Sequence, residues 1–214
     1  MIYITTRTDG GGRRVMMPLL KGSATATLLV GVGAGVLLLL GAEGAYHYTS
    51  SDEFCSTACH SMQAYVASEP QFVASPHRNT PTGIQVGCSD CHVPPSFPAN
   101  VLYKTKSGIR DIYQELSNDF SDPGAWESRR ASLAHEVRDW YIGNDSAPCR
   151  SCHTPEKLNP ERESGQRQHE LADRDGVSCI GCHFNLVHRP VKPSKEFAQY
   201  GRVSADMERA AVKQ

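Results

Sequence analysis

The sequence predicts a mainly α protein with much irregular structure. One N-terminal helix crosses a membrane, and a small domain beyond it folds around something other than its own side chains. Three observations lead there. Residues 22–42 run for 21 positions without a charge. The rest of the chain has no convincing period-2 pattern, two stretches of helical periodicity and frequent prolines. It is also poor in Phe, Leu and Ile, and part of the 39% apolar content of the 214 residues lies in the uncharged run. A domain with so little core material is marginal unless another group fills its centre.

The uncharged run, Gly22 to Ala42, includes Val36 and four consecutive leucines, Leu37–Leu40. About 20 apolar residues suffice for a helix to cross the hydrocarbon core. Arg7, Arg13, Arg14 and Lys21 precede it and Glu43 follows. The positive-inside rule then places residues 1–21 in the cytoplasm and everything after the anchor outside. A cleaved signal peptide would carry a shorter apolar core. Gly31 and Gly35 form a small-xxx-small pair, a spacing through which an anchor can form a homo-oligomer.

The eight cysteines fall into four pairs: Cys55/Cys59, Cys88/Cys91, Cys149/Cys152 and Cys179/Cys182. A histidine follows each pair at once: His60, His92, His153 and His183. The last three pairs read C-x-x-C-H, the attachment signature of c-type haem. Two thiols at this spacing reach both vinyl groups of one porphyrin, and the adjacent imidazole swings under the iron. Zinc has no need of a histidine directly after every pair. A disulfide framework would not place histidines after alternate cysteines, and a thioredoxin-like motif needs one pair in a βαβ setting. The sequence therefore calls for four covalently bound haem c groups. The first motif, Cys55-Ser-Thr-Ala-Cys59-His60, carries one extra residue and is followed by Ser61 and Met62.

Between the motifs, Leu102, Ile109, Ile112, Tyr113 and Leu116 recur at helical spacing over Val101–Leu116, and Leu133, Val137, Trp140 and Tyr141 do so over Trp126–Ile142. Short helices should open three of the four motifs, and long connections should cover porphyrin faces. Four of the 22 Lys and Arg and one of the 23 acids precede the anchor, leaving 18 against 22 after it. A mildly acidic domain of this kind is no nucleic-acid binder.

The order of EFC…CHSM (Glu53–Met62), SPHR (Ser75–Arg78), GCSDCHVP (Gly87–Pro94), NDSAPCRSCH (Asn144–His153) and CIGCHFNLVH (Cys179–His188) behind an anchor resembles the NapC/NirT/NrfH family of membrane-anchored tetrahaem quinol dehydrogenases. The resemblance covers residues 22–190. It implies a periplasmic tetrahaem domain over 43–190 and a C-terminal tail over 191–214. His77 in SPHR matches the family's distal ligand to the third haem, and His188 the distal ligand to the second. His169 matches the distal partner of the fourth, with His135 as its alternative. Met62 stands where the family's methionine can ligate the first iron in place of His60. A thioether ligand raises the potential relative to two imidazoles, which suits the haem that meets quinol. Some relatives have a histidine three residues after the second motif's histidine, where this chain has Pro95.

Only 12 residues lie between Ala42 and Cys55, so the first haem is held near the membrane surface. In the Val101–Leu116 helix, Lys104, Gly108 and Asp111 share one face. A cation can bond a quinone oxygen, glycine leaves room for a flat ring, and a carboxylate can take a proton. The family carries Lys and Asp at this spacing near its first haem. The implied function is electron transfer between ubiquinone or menaquinone in the lipid bilayer and a periplasmic redox enzyme or cytochrome. The same parts run in reverse make a quinone reductase fed by an enzyme such as hydroxylamine oxidoreductase. A terminal reductase would need an open-sided catalytic haem and far more protein around it.

Denatured protein is expected to retain four covalent haems by intact-mass measurement. A mass corresponding to three would show that the Cys55/Cys59 motif attaches none.

Overall fold

A computed structural model describes residues 7–8, 14–15 and 24–198. The basic flank of the anchor, apart from those two short pieces, and the tail from 199 onward lie outside the described residues. The chain divides into two units, Met1–His47 and Tyr48–Gln214.

In the first unit, β1 (Arg7–Thr8) pairs antiparallel with β2 (Arg14–Val15). Helix α1 (Ala24–Ser50) then begins. None of its residues is buried, and Leu28, Leu29, Val30 and Leu37–Leu40 all stand outward. A helix satisfies its own backbone, so an apolar exterior of this length suits hydrocarbon. The helix outruns the expected 22–42 span at its C-terminal end because nothing in Glu43–Ser50 breaks it. Glu43 and His47, one turn apart, pair at 2.9 Å. At 1.5 Å per residue its 27 residues measure about 40 Å, longer than the ~30 Å hydrocarbon core, so the polar last turns emerge from it.

The second unit is helical and irregular, as the sequence predicts. Ser51 caps α2 (Asp52–Thr57) by accepting from the Phe54 N–H at 3.2 Å, and Asp52 and Glu53 in the first turn complement the helix dipole. A short α3 (His60–Met62) runs on into a wider turn at Gln63–Ala67, followed by α4 (Pro70–Val73). Beyond α5 (Cys88–His92) come the two long helices, α6 (Ala99–Ser117) and α7 (Pro123–Gly143), each within three residues of the expected bounds. Asp122 caps α7, accepting from Gly124 and Ala125, with Pro123 at the first helical position. Then come α8 (Ala147–Arg150), α9 (Glu163–Arg174) and α10 (Cys179–Cys182).

The apolar core is as thin as the composition implies. Among the described residues, the buried apolar side chains are Phe120, Trp126, Tyr141, Val191 and Phe197. Trp126 stacks on Tyr65 at 5.4 Å and meets the edge of Phe120 at 5.9 Å. Arg138 of α7 is buried against Phe184 and Phe197, its guanidinium 5.3 and 5.4 Å from the two ring centres. It donates to the Asn185 side chain at 2.7 Å and the Val191 carbonyl at 2.9 Å.

After α7 the chain reverses through Asp145 and Ser146, both left-handed at φ 52° and 53°. Such a conformation costs a non-glycine residue of order 1–3 kcal/mol, and the bonds of Ser146 offset it. Its N–H donates to the Tyr141 carbonyl at 2.7 Å. Its buried hydroxyl lies 2.6 Å from that of Ser178 and accepts from the Ile180 N–H at 3.1 Å. Ser146→Ala is expected to lower the unfolding free energy of the haem-loaded protein by about 1–3 kcal/mol, because it strips the bond from the Ile180 N–H. Denaturant unfolding followed by circular dichroism measures this, and an unchanged midpoint would remove Ser146 from the fold's supports.

Candidate functional site

The four Cys–His motifs lie in chain order, each held to the next by polar bonds. Cys88 and Cys91 sit on the single short helix α5, and Cys179 and Cys182 on α10, so three-residue spacing puts both thiols on one side of one turn. In the third motif Cys149 lies in α8 and Cys152 just beyond it, with the Cys152 N–H donating to the Cys149 carbonyl at 3.2 Å. The first motif differs. Cys55 belongs to α2, whereas Cys59 is extended at φ −116°, ψ 139° and caps α3. The extra residue is absorbed by a break in the helix, and His60 and Met62 begin a new one.

Asp52 ties the first motif to the second. Its carboxylate accepts from the Cys88 N–H at 2.7 Å and from the Arg78 guanidinium. Burial pushes the Asp52 carboxyl up, but these bonds outweigh it and hold the group below its ordinary value. Gly87 is required here, since a Cβ at that position would stand 2.8 Å from the Asp52 oxygen. The Tyr141 hydroxyl donates to the Cys91 carbonyl, so α7 supports the second motif. Ser146, three residues before Cys149, and Ser178, one before Cys179, join the third motif to the fourth.

Helix α6 lies along the first motif, with Lys104, Gly108 and Glu115 half-buried on that side and the Asp111 side chain 58% exposed at its margin. The Lys104 ammonium donates to the Ser50 hydroxyl at 2.5 Å. The Cys55 thiol is pulled down first by a hydrogen bond with Cys88, with burial opposing and Lys104 adding to the fall. Burial, then the Glu115 and Asp111 carboxylates, push the Cys59 thiol up. Lys104 therefore neighbours one cysteine of the motif, and Asp111 and Glu115 the other. Partial burial draws the Lys104 ammonium down and lifts the Asp111 carboxyl, the latter against Arg110 at 3.4 Å. Gly108 lies between them, with nothing within 4 Å of where its Cβ would be. Glu115 accepts both the N–H (3.0 Å) and the hydroxyl (2.7 Å) of buried Ser61, between His60 and Met62.

Three distant histidines meet motif histidines. The ring centres of His77 and His153 are 6.2 Å apart, those of His92 and His188 6.1 Å, and those of His169 and His183 6.0 Å. A metal–imidazole nitrogen distance of about 2 Å, plus ~1.2 Å from nitrogen to ring centre on each side, puts two imidazoles of one iron about 6 Å apart. The spacing fits haem iron at all three places. The buried Nδ1 of His169 has no partner, and its ring faces His183 at an interplanar angle of 16°. No disulfide joins any two of the eight cysteines. His135 instead contacts the Lys192 carbonyl at 3.0 Å, and His47 bonds Glu43.

Sequence reasoning missed Asp52, Glu115 and Ser146. Glu115 was within reach, because it follows Asp111 by one helical turn on the face already singled out. Asp52 reads as an ordinary first-turn acid, and nothing in the sequence pairs Ser146 with Ser178.

The family model for the NapC/NirT cytochrome c family, N-terminal region, matches residues 17–193. The chain belongs to the NapC/NirT cytochrome c family. It is a membrane-anchored cytochrome c of quinol-linked electron transfer. Among relatives of this family member, a probable tetraheme cytochrome c-type protein of Nitrosomonas europaea is 38% identical over 179 residues, 82% of this chain and 73% of that one. Cytochrome c-type protein TorC of Escherichia coli K12 is 33% identical over 80% of this chain, which spans 44% of TorC's length. Cytochrome c-type protein NapC of the same strain is 29% identical, covering 76% of this chain and 80% of NapC. A chain in the crystal structure of the cytochrome c nitrite reductase NrfHA complex bound to the HQNO inhibitor is 24% identical, with a TM-score of 0.46, covering 78% of this chain and 93% of that chain.

Proposed function

We propose that this family member holds four haem c groups, one at each Cys–His motif, and passes electrons between ubiquinone or menaquinone and a periplasmic redox enzyme or cytochrome. The observation that carries the reading is the set of three imidazole pairs about 6 Å apart, each joining a motif histidine to a distant one. Haem c, when bound, supplies an iron that takes up and gives off one electron. The four cysteine pairs tether the groups, and His92, His153 and His183 ligate from the motif side. His188, His77 and His169 ligate from the other. His135 is left out of the ligand set because it contacts the Lys192 carbonyl. At the first motif the ligand comes from His60 or Met62, on either side of the Ser61 that Glu115 fixes.

Quinol meets the chain at the first motif. Lys104 donates to a quinone oxygen, Gly108 leaves room for the ring, and Asp111 accepts one of the two protons released as quinol gives up two electrons, the other passing to solvent. A carboxyl lifted above its ordinary value is a better proton acceptor than a free one. The bonds through Asp52, Tyr141 and Ser146 keep successive motifs adjacent, so electrons have a continuous route away from the lipid.

His77→Ala, His169→Ala and His188→Ala are each expected to turn one low-spin haem high-spin in electron paramagnetic resonance spectra, while His135→Ala leaves all low-spin. A high-spin signal from His135→Ala with none from His169→Ala would transfer the fourth distal position to His135.

Lys104→Ala or Asp111→Asn should slow quinol oxidation at least about tenfold, since general acid–base groups contribute ~10²–10⁴-fold. Haem content and reduction by dithionite should be unchanged. Normal quinol turnover in the double variant would overturn the site, and loss of haem would make the two residues structural.

A further inference from the structure

Helix α6 is amphipathic in the reverse of the usual sense. Lys104, Gly108, Asp111 and Glu115 lie toward the first motif. Half a turn round the helix, Leu102, Ile109, Tyr113 and Leu116 form a stripe, with Ile112 at its edge. Their relative exposures are 68%, 68%, 65%, 83% and 60%. A helix on a soluble domain normally turns its apolar stripe to the core. Here the elements packed on α6 occupy its other sides. Glu115 bonds Ser61 of the first motif, while on α7 Trp140 meets Tyr103 at 4.9 Å and Glu136 pairs with Arg110 at 2.9 Å. Phe97, just before the helix, is 81% exposed and continues the apolar surface.

The structure assigns this stripe to the bilayer: we propose that α6 is an interfacial helix whose Leu102–Ile109–Tyr113–Leu116 face lies in the outer leaflet's headgroup and upper acyl region. Three observations select lipid. The first is the short tether: Lys104 bonds Ser50, which belongs to the second unit and lies a few residues of chain beyond the apolar run. Ser50 follows Ala42 by eight residues, about 12 Å of helix, a distance within the interfacial layer. The second is the rim. Lys106 flanks the stripe, where a long cationic side chain can reach lipid phosphates, and Tyr113 is an amphipathic ring suited to the headgroup level. The third is the pattern itself. A strong apolar face opposed by a charged one characterises helices that lie in the membrane plane. The same helix then has one face in the phase that dissolves quinol and the other against the first motif.

The proposal rests on the anchored reading of the chain and not on the quinol site. Its test is photocrosslinking of full-length, haem-loaded protein in vesicles of phosphatidylethanolamine and phosphatidylglycerol. Benzoylphenylalanine is placed in turn at Ile109, at Leu116 and, as control, at exposed Ser128 on α7. Irradiation is expected to give about tenfold more lipid adduct by mass spectrometry at Ile109 and Leu116 than at Ser128, given burial of an interfacial helix to the acyl boundary. Lipid adduct no greater than at Ser128 would overturn the proposal. So would crosslinking of Leu116 to a second copy of the chain in place of lipid. The readout needs no turnover, so failure here leaves the roles of Lys104 and Asp111 standing, and their failure leaves this result standing.

Discussion

The structure depends on keeping four Cys–His motifs next to one another in a chain with almost no apolar core. Among the described residues, five buried apolar side chains cannot organise the second unit alone, because burial at about 25 cal/mol per Å² must offset the ordering of every residue. What the protein atoms supply instead is a set of polar ties at the motifs themselves. Asp52 bonds the N-terminus of α5, Tyr141 bonds its last cysteine's neighbourhood, and Ser146 bonds the turn before α10. Each tie acts on backbone within three residues of a cysteine. The order of the motifs in space is therefore fixed by short-range contacts rather than by a shared core. Covalent tethering suits such a chain, since thioether bonds hold a large flat group where side-chain packing alone would not.

The same constraint explains how much was legible beforehand. The anchor, α6 and α7 were readable because each carries a periodic signal over four or more turns. The anchor's far end was not, since Glu43–Ser50 is polar yet contains no helix breaker and pairs Glu43 with His47. The cysteine pairs and their histidines were readable from spacing. Which distant histidine faces which motif came only from the family resemblance, and the structure brings His77, His169 and His188 to motif rings while leaving His135 at Lys192. Asp52, Glu115 and Ser146 make contacts across 36, 54 and 32 residues of sequence, and no local pattern announces such pairings. The apolar residues of α6 were seen as a helical stripe, but periodicity does not say whether a stripe faces inward or outward.

That orientation brings the parts of the first-motif site into one account. With its apolar side turned away from the protein, α6 has only polar and small residues to place against Cys55 and Cys59. A cation, a glycine and two carboxylates on one side of a helix, half-buried except for the exposed Asp111, are poor material for a core and useful for handling a proton. Partial burial moves Lys104 and Asp111 in opposite directions, the ammonium down and the carboxyl up, so each is drawn toward its neutral form. Groups so placed exchange protons with less driving force than free ones need. Glu115 has a different task. Occupied by both donors of Ser61, it is committed to holding the broken first motif, which leaves Asp111 as the carboxylate available for chemistry.

Proton and electron then part company by geometry on the proposed reading. Asp111 contacts Arg110, which pairs with Glu136 on the exposed flank of α7, so a proton taken at Asp111 has charged neighbours leading to solvent. Asp52 joins the first motif to Cys88, and so to the row along which electrons would pass. One helix face serves the proton and one aspartate serves the motif row, and the two share no residue. A change at Asp111 therefore acts on quinol chemistry without loosening the row, whereas a change at Asp52 loosens the row and leaves the quinol face intact. The separation follows from the inversion of α6: a helix that packed its apolar side inward would have filled the same space with Leu102, Ile109 and Leu116, and the first motif would have had no proton acceptor beside it.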